Sequence, residues 1–367
     1  MSYDDQLTYK QDKLNLLLSP FFSDELSVFS SPETHYRMRA EFRVWHEGDD
    51  TFHIMFNQHT KEKYRVDQLP AASILINEAM QCVIQQVTAR PELRTKLFQI
   101  DYLSSTSNEL VISMLYHRQL EQAWLNEAEA LQQYLVDALA TKLGTLCVVN
   151  IIGRARKLKH VLGADYVNET LTIDNKAYVF KQIENSFTQP NAKINVDMIE
   201  WVIQNAAEPK SDLLELYCGA GNFSVPLSDC FNAVLATEIS KTSVNAAQDN
   251  IRNNHVDNLH IARLSSEEFV EAYVEGRKFN RLANIDLSAY NFTTVLVDPP
   301  RAGIDDNTLA LMARFETIIY ISCNPNTLVD NLHVLAKTHE VKQAALFDQF
   351  PFTEHMESGV ILQRKSQ

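Results

Sequence analysis

Apolar positions at the start of the chain, Leu7, Leu14 and Leu17 with their neighbours, recur at helical spacing, so the sequence predicts an opening helix. Polar and apolar residues then alternate through AEFRVW (40–45) and TFHIMFN (51–57), the period of antiparallel strands with one buried face. Helical periodicity returns over 71–89 and 120–142, while ELVISMLYH and KAYVFKQI read as strands. From about Asn191 the pattern changes. A helix over NVDMIEWVIQNA gives way to short apolar runs, DLLELYC, AVLATEIS, TTVLVDPP and TIIYISCNP, separated by helical segments. Such alternation predicts a doubly wound parallel sheet with its ligand beyond the carboxyl ends of the strands. The expected fold is α/β: a C-terminal Rossmann-like domain over 181–367 behind an N-terminal α+β region over 1–180.

Composition sharpens this in three ways. A chain of 367 residues exceeds what one core usually holds, which agrees with two domains. The first residues carry Asp4 and Asp5 where a signal peptide needs bases, and no apolar run nears the roughly 20 residues that span a bilayer, so a cytoplasmic protein with no membrane partner is expected. Five scattered cysteines without a C-x-x-C pair argue against a disulfide framework or a metal site, and leave a thiol free for chemistry.

The net charge of −14 argues against a broadly basic nucleic-acid surface. Residues 1–180 hold 18 bases against 23 acids and residues 181–367 hold 15 against 24, so any RNA would meet local patches. Three are candidates: Arg37, Arg39 and Arg43; Lys61, Lys63 and Arg65; and Arg154, Arg156, Lys157, Lys159 and His160. Alternation in RMRAEFR puts several arginines on one sheet face, with Tyr36 or Phe42 expected as stacking platforms. Taken singly, each patch reads equally as a solvated basic surface.

LLELYCGAGNF is an apolar strand running into a Gly-rich turn that is expected to open a helix, with Gly219 and Gly221 letting backbone pass close to a ligand. Glu238 ends the next apolar run, where a carboxylate can accept from ribose hydroxyls. Dinucleotide folds share this plan but carry a third glycine, and Ser224 stands there instead. LYCGAGNF resembles the first motif of S-adenosylmethionine methyltransferases, and VLVDPPR the fourth. The two prolines fix the backbone after the strand and hold Asp298 and Arg301 at its end.

Cys323 follows the strand TIIYIS and precedes the turn-forming Asn324-Pro325, unlike Cys82 and Cys147, which read as core packing. A thiolate at such a place suits methylation of uracil C5, a carbon too weakly nucleophilic to attack a methylsulfonium directly. Sulfur adding to C6 makes C5 an enolate carbon, and after methylation a base must take the C5 proton. FPFTEHMESGV offers Glu354, His355 and Glu357 for that task. Glu357, before Ser358-Gly359, reads as lying at a tight bend into a last strand, and spacing alone does not choose among the three.

LELYCGAGNF, VLVDPPRAG, YISCNP, HMESGV and FKQIENSFTQPN, in order, resemble the RNA uracil-5-methyltransferase family, and HYRMRAEFRVWH and LRTKLFQIDYL extend the resemblance over nearly the whole chain. Within the family the likeness is to the bacterial branch acting on the T-arm of tRNA at position 54. The resemblance implies S-adenosylmethionine as cofactor, Cys323 as nucleophile and Glu357 as base. It further implies that Gln189, Tyr217, Asn222, Glu238 and Asp298 bind the cofactor, that Arg301 is needed for activity and that Phe98 contacts flipped-out RNA. A monomer is expected, and a T-loop-like hairpin in transfer-messenger RNA is a further expected substrate.

Ribosomal-RNA members carry a basic N-terminal domain and a four-cysteine iron–sulfur motif that this sequence lacks, which favours tRNA. An amino-methyltransferase would have no use for Cys323 and usually follows the prolines with an aromatic residue, not Arg301. A tRNA-folding factor with incidental methylation is a third reading, to be separated by testing a Cys323→Ala variant for folding assistance.

Overall fold

The computed structural model describes residues 2–57, 60–206 and 211–366, which form two compact units. One comprises Met1–Ser31, Leu171–Phe180 and Lys193–Gln367; the other comprises Pro32–Thr170 and Lys181–Ala192. The expected boundary at 180 is corrected by backbone pairing: strand Ser27–Phe29 lies parallel to Ala345–Phe347, so the first thirty or so residues fold with the C-terminal half.

The first unit is built on an eight-stranded sheet in the order Ser27–Phe29, His339–Phe347, Glu357–Arg364, Thr317–Ser322, Phe292–Val297, Asp212–Leu216, Ala233–Thr237, Leu259–Ala262. Its strands pair in parallel except Glu357–Arg364, which is antiparallel to both neighbours. Leu213, Leu214, Val295, Leu296 and Ile318 to Ile321 are all fully buried, as expected of strands covered on both faces. Connections run outward in opposite directions from the adjacent strands Asp212–Leu216 and Phe292–Val297. A crevice therefore opens at their carboxyl ends, where Tyr217 and Asp298 follow. The anticipated helix after the Gly-rich turn is only Ser224–Leu227, four residues long.

The opening helix, Tyr3–Leu18, is capped by Ser2 and Asp5, which exchange side-chain bonds with each other's backbone N–H. Its buried stripe is Gln6, Lys10, Leu14 and Leu18, apolar only in its second half.

The second unit carries a seven-stranded sheet in the order Lys63–Arg65, Asp50–Phe56, Arg39–Glu47, Leu97–Ser104, Glu109–Tyr116, Val148–Ala155, Leu158–Leu162. One face packs on helices Ile74–Ala89 and Gln122–Leu143 through Phe42, Ile100, Ile112, Met114, Leu75 and Leu131. Arg39, Glu41 and Arg43 alternate with buried Ala40, Phe42 and Val44, so the arginines do share a face. The platform assigned to Tyr36 and Phe42 is corrected: both rings are buried, Phe42 because it occupies the inward phase of that same alternation. Arg65 is neutralised by Asp50 and Asp67, and Arg154 and Lys159 share Glu184, so much of the anticipated basic charge is already paired.

Candidate active site

At the carboxyl end of Asp212–Leu216, Tyr217 takes φ +63, a left-handed conformation, and Gly219 and Gly221 follow at φ +55 and +82. A Cβ built on Gly219 meets nothing within 4 Å, so this turn leaves space above it. Glu238, one residue beyond Ala233–Thr237, accepts from the Gly219 N–H at 3.1 Å and the Ser240 N–H at 2.7 Å. Asn222 exchanges amide bonds with Asn195 at 2.8 and 2.9 Å, and the Tyr217 hydroxyl meets Ser266 Oγ at 2.7 Å. Beneath the turn, the buried Glu215 accepts from Ser224 Oγ, and burial pushes its carboxyl up to about 8. A nucleoside-bearing cofactor fits this donor set: an acid at the second strand's end for ribose hydroxyls, and an open Gly-lined turn for close backbone approach.

The other half of the site comes from the neighbouring strands. Thr317–Ser322 pairs antiparallel with Glu357–Arg364 so that Ser322 faces Ser358, and Ser358 Oγ donates to the Ser322 carbonyl at 3.2 Å. The ladder ends at that pair: Cys323 follows Ser322, Glu357 precedes Ser358, and the charge of Glu357 acts on the Cys323 thiol. On the other side Phe347 pairs with Glu357, and parallel pairing of Val297 with Tyr320 brings Asp298 alongside. The bend expected at Glu357 is therefore corrected. Glu357 begins the strand, and Gly359 lies within it because a Cβ there would stand 2.7 Å from Trp201 Cζ3.

Burial, then the charges of Glu357 and Asp298, raise the Cys323 thiol above its ordinary range, while Arg301 pulls it down through charge and a side-chain hydrogen bond. Burial pushes Asp298 up to about 7 and Glu357 well above a normal carboxyl, with Asp298 adding to Glu357 and Arg301 opposing. Two buried carboxyls this close resist joint ionisation. Asn324 Nδ2 donates to the Arg301 carbonyl at 3.2 Å, tying the Asp298-Pro-Pro-Arg301 loop to the start of helix Pro325–Leu335. Arg301 Nη2 stands 3.5 Å from His355 Nδ1, and burial followed by the charge of Arg301 lowers the pKa of the imidazole.

Cys323, Glu357, Asp298 and Arg301 are thus brought together, and Tyr217, Asn222 and Glu238 surround the adjacent turn. Gln189 and Phe98 belong to the other unit. There the Phe98 ring stacks on His117 at 3.9 Å and 9°, with the Arg43 guanidinium 5.5 Å from its centroid. The pair borders a cavity of about 610 Å³ lined by Arg118, Arg154 and Arg156. The sequence reading passed over His117, Asn195 and Ser358, whose significance comes from long-range pairing that spacing does not reveal. Among the described residues, no helix is long and apolar enough to cross a membrane and no cluster of His, Cys, Asp or Glu could hold a metal ion.

Residues 2–365 match the profile of the tRNA (Uracil-5-)-methyltransferase family. The chain belongs to that family. The methyltransferase is 52% identical over 366 residues to the tRNA/tmRNA (uracil-C(5))-methyltransferase of Vibrio parahaemolyticus, a match covering 99% of this chain and 97% of the relative. It is 54% identical over 365 residues to the protein of the same description in Pseudoalteromonas translucida, with the same coverage. Its fold is similar to the crystal structure of Pyrococcus abyssi tRNA (uracil-54, C5)-methyltransferase in complex with S-adenosyl-L-homocysteine. That likeness has a TM-score of 0.71 at 20% identity and covers 99% of this chain and 84% of the other. The family and the methyltransferase fold are those expected from the sequence.

Proposed function

We propose that this methyltransferase modifies C5 of the uracil at position 54 in the T-loop of tRNA, and a T-loop-like site in transfer-messenger RNA, with S-adenosylmethionine as donor. The observation that carries the reading is that a thiol, Cys323, and a buried carboxyl, Glu357, flank the end pair of one ladder, Ser322–Ser358, near enough for the charge of the carboxyl to act on the thiol. Relatives described as acting on tRNA and tmRNA, at 52–54% identity over nearly the full chain, support the substrate.

When bound, S-adenosylmethionine supplies an electrophilic methyl group. Glu238 would hold its ribose and Tyr217, Asn222 and Asp298 the sides of the turn; a role for Gln189 rests on the family resemblance alone. The Cys323 thiol, held up by burial, gives its proton to solvent water and attacks C6 as thiolate, with the Arg301 guanidinium offsetting the new charge. The C5=C6 electron pair moves to C5 and O4, and C5 becomes the carbon that takes the methyl. Glu357 then accepts the C5 proton, the C5=C6 bond re-forms, and the thiolate leaves. A carboxylate whose pKa is raised by burial is the stronger base for this step. The uracil must leave its stack to meet Cys323, and stacking surfaces such as Phe98 on His117 suit the bases displaced with it.

The test is RNA carrying 5-fluorouracil at position 54, where fluorine cannot leave as a proton. Wild type with cofactor should form an SDS-stable complex, and Cys323→Ala should form none. A complex that persists in Cys323→Ala overturns the nucleophile. For Phe98, the alanine variant should lose RNA affinity or turnover, and wild-type values for both overturn its contact with RNA.

A further inference from the structure

The opening helix buries two polar side chains in a stripe that would ordinarily be apolar, and both reach one short segment. Lys10, 1% exposed, donates from Nζ to Asp348 Oδ1 at 2.7 Å and to the Phe350 carbonyl at 2.9 Å. Gln6 donates from Nε2 to Asp348 Oδ2 at 3.5 Å, and its Oε1 accepts the Phe352 N–H. Tyr3 packs edge-on against the Phe352 ring at 5.8 Å. The segment held in this way, 348–356, connects strand His339–Phe347 to the strand that begins at Glu357.

Phe352 sits at φ +58, a left-handed conformation that a non-glycine residue adopts only when its surroundings impose it, and its N–H is the one Gln6 accepts. Thr353 Oγ1 donates to the Phe350 carbonyl at 2.8 Å and accepts the His355 N–H at 3.3 Å, so the shape set at 350 and 352 is passed on to His355. Core formation does not explain Lys10 or Gln6, because well-packed apolar residues of similar volume usually serve stability as well or better than a buried ion pair. What polar groups add is direction, fixing backbone atoms of the segment at defined points.

We propose that Gln6 and Lys10 are positioning residues for the reaction: the opening helix clamps segment 348–356 so that Glu357 stands near Cys323. This rests on the reading of Glu357 as the base. A misplacement of about 1 Å at a reacting group can cost roughly a hundredfold in rate. The step slowed is removal of the C5 proton, and attack by Cys323, which comes from a different strand, is spared. The covalent intermediate should therefore accumulate on ordinary uracil RNA, as a general loss of folding would not cause.

Two full-length variants test this, with a tRNA T-arm transcript and S-adenosylmethionine. Gln6→Leu frees the Phe352 N–H and leaves the ion pair in place, so folding is retained. Lys10→Met combined with Asp348→Asn removes both charges together and leaves neither buried alone. In each, kcat should fall roughly 10- to 100-fold with KM within about twofold of wild type. An SDS-stable complex with ordinary RNA should appear that wild type does not accumulate. Unchanged kcat in Gln6→Leu, or a fall in kcat without that complex, overturns the inference. Glu357→Gln is the control for the underlying reading: wild-type turnover in it removes Glu357 as base, whereas an inactive Glu357→Gln beside a fully active Gln6→Leu removes only the clamp.

Discussion

Gly359→Ala is the smallest change that reaches the active site through packing alone. The added methyl would lie 2.7 Å from Trp201 Cζ3, 3.1 Å from Ile321 Cδ1 and 3.1 Å from Phe347 Cε2. All three side chains are buried, and the indole is itself held edge-on against Phe347 at 5.6 Å. Because the methyl is enclosed by rigid neighbours, the upper part of the usual overpacking range applies, about 3 kcal/mol. Replacing glycine by alanine also lowers the entropy of the unfolded chain, which returns about 0.5–1 kcal/mol. The clash wins, leaving a net loss of about 2 kcal/mol. For a unit of this size that lowers Tm by about 4–8 °C. Thermal unfolding followed by circular dichroism, with urea titration to check that the m-value is unchanged, measures the loss. Trp201→Leu in the same chain opens the space and should restore most of it, a coupling of at least about 1 kcal/mol. Methyl transfer should fall more steeply than stability in the single variant, since Gly359 pairs with Ile321 two residues from both Cys323 and Glu357. A Gly359→Ala protein that melts with wild type, or a loss that Trp201→Leu leaves untouched, would refute the packing argument.

Three further outcomes follow from the ionisable groups. Iodoacetamide labelling of Cys323, followed by peptide mass spectrometry, should be slow at neutral pH and climb through the alkaline range, because burial and then Glu357 and Asp298 hold the thiol protonated. Glu357→Gln removes one of those charges and should speed labelling at pH 8 several-fold, while Arg301→Met should slow it; equal rates in the three proteins would contradict the charge assignment. His53 is buried against the Tyr102 hydroxyl at 3.0 Å, and burial lowers its pKa from 6.5 to about 3. The folded state prefers the neutral ring, so its contribution is complete above about 6.5 and is lost as pH falls from there towards 3, at no more than about 1.4 kcal/mol per pH unit. Urea unfolding between pH 7 and 4 should show this slope, and His53→Leu should flatten it.

How far the sequence could be read depended on the range of the interaction behind each feature. The parallel core was legible because strands buried on both faces must be continuously apolar, as in Leu213, Leu214, Val295 to Val297 and Ile318 to Ile321. The alternation in RMRAEFR likewise gave the correct face for Arg39 and Arg43. What period could not say was which phase of the alternation faces the helices, and so Phe42 was given to the surface when it fills the core. The domain boundary was missed for a related reason. Ser27–Phe29 joins a sheet whose partner, Ala345–Phe347, is more than three hundred residues away, and a three-residue strand announces no partner. Gly359 looked like a turn because glycine commonly marks one, but its role is to leave room for an indole from another element.

The choice among Glu354, His355 and Glu357 shows what structure adds to chemistry. All three are carboxyl or imidazole groups within four residues, and each could in principle take a proton. Only Glu357 lies on the ladder, paired with Phe347, and its charge acts on Cys323, which follows the Ser322–Ser358 pair. Being fully buried there raises its basicity, and buried Asp298 raises it further. His355 stands at 3.5 Å from the Arg301 guanidinium, a neighbour that disfavours taking up a proton. Burial and charge therefore act in opposite senses on the two candidates, strengthening the carboxyl as a base and weakening the imidazole. The segment leading into the strand that begins at Glu357 is held at Phe350 and Phe352 by Lys10 and Gln6 of the opening helix, a contact more than three hundred residues apart in sequence that spacing within FPFTEHMESGV does not reveal.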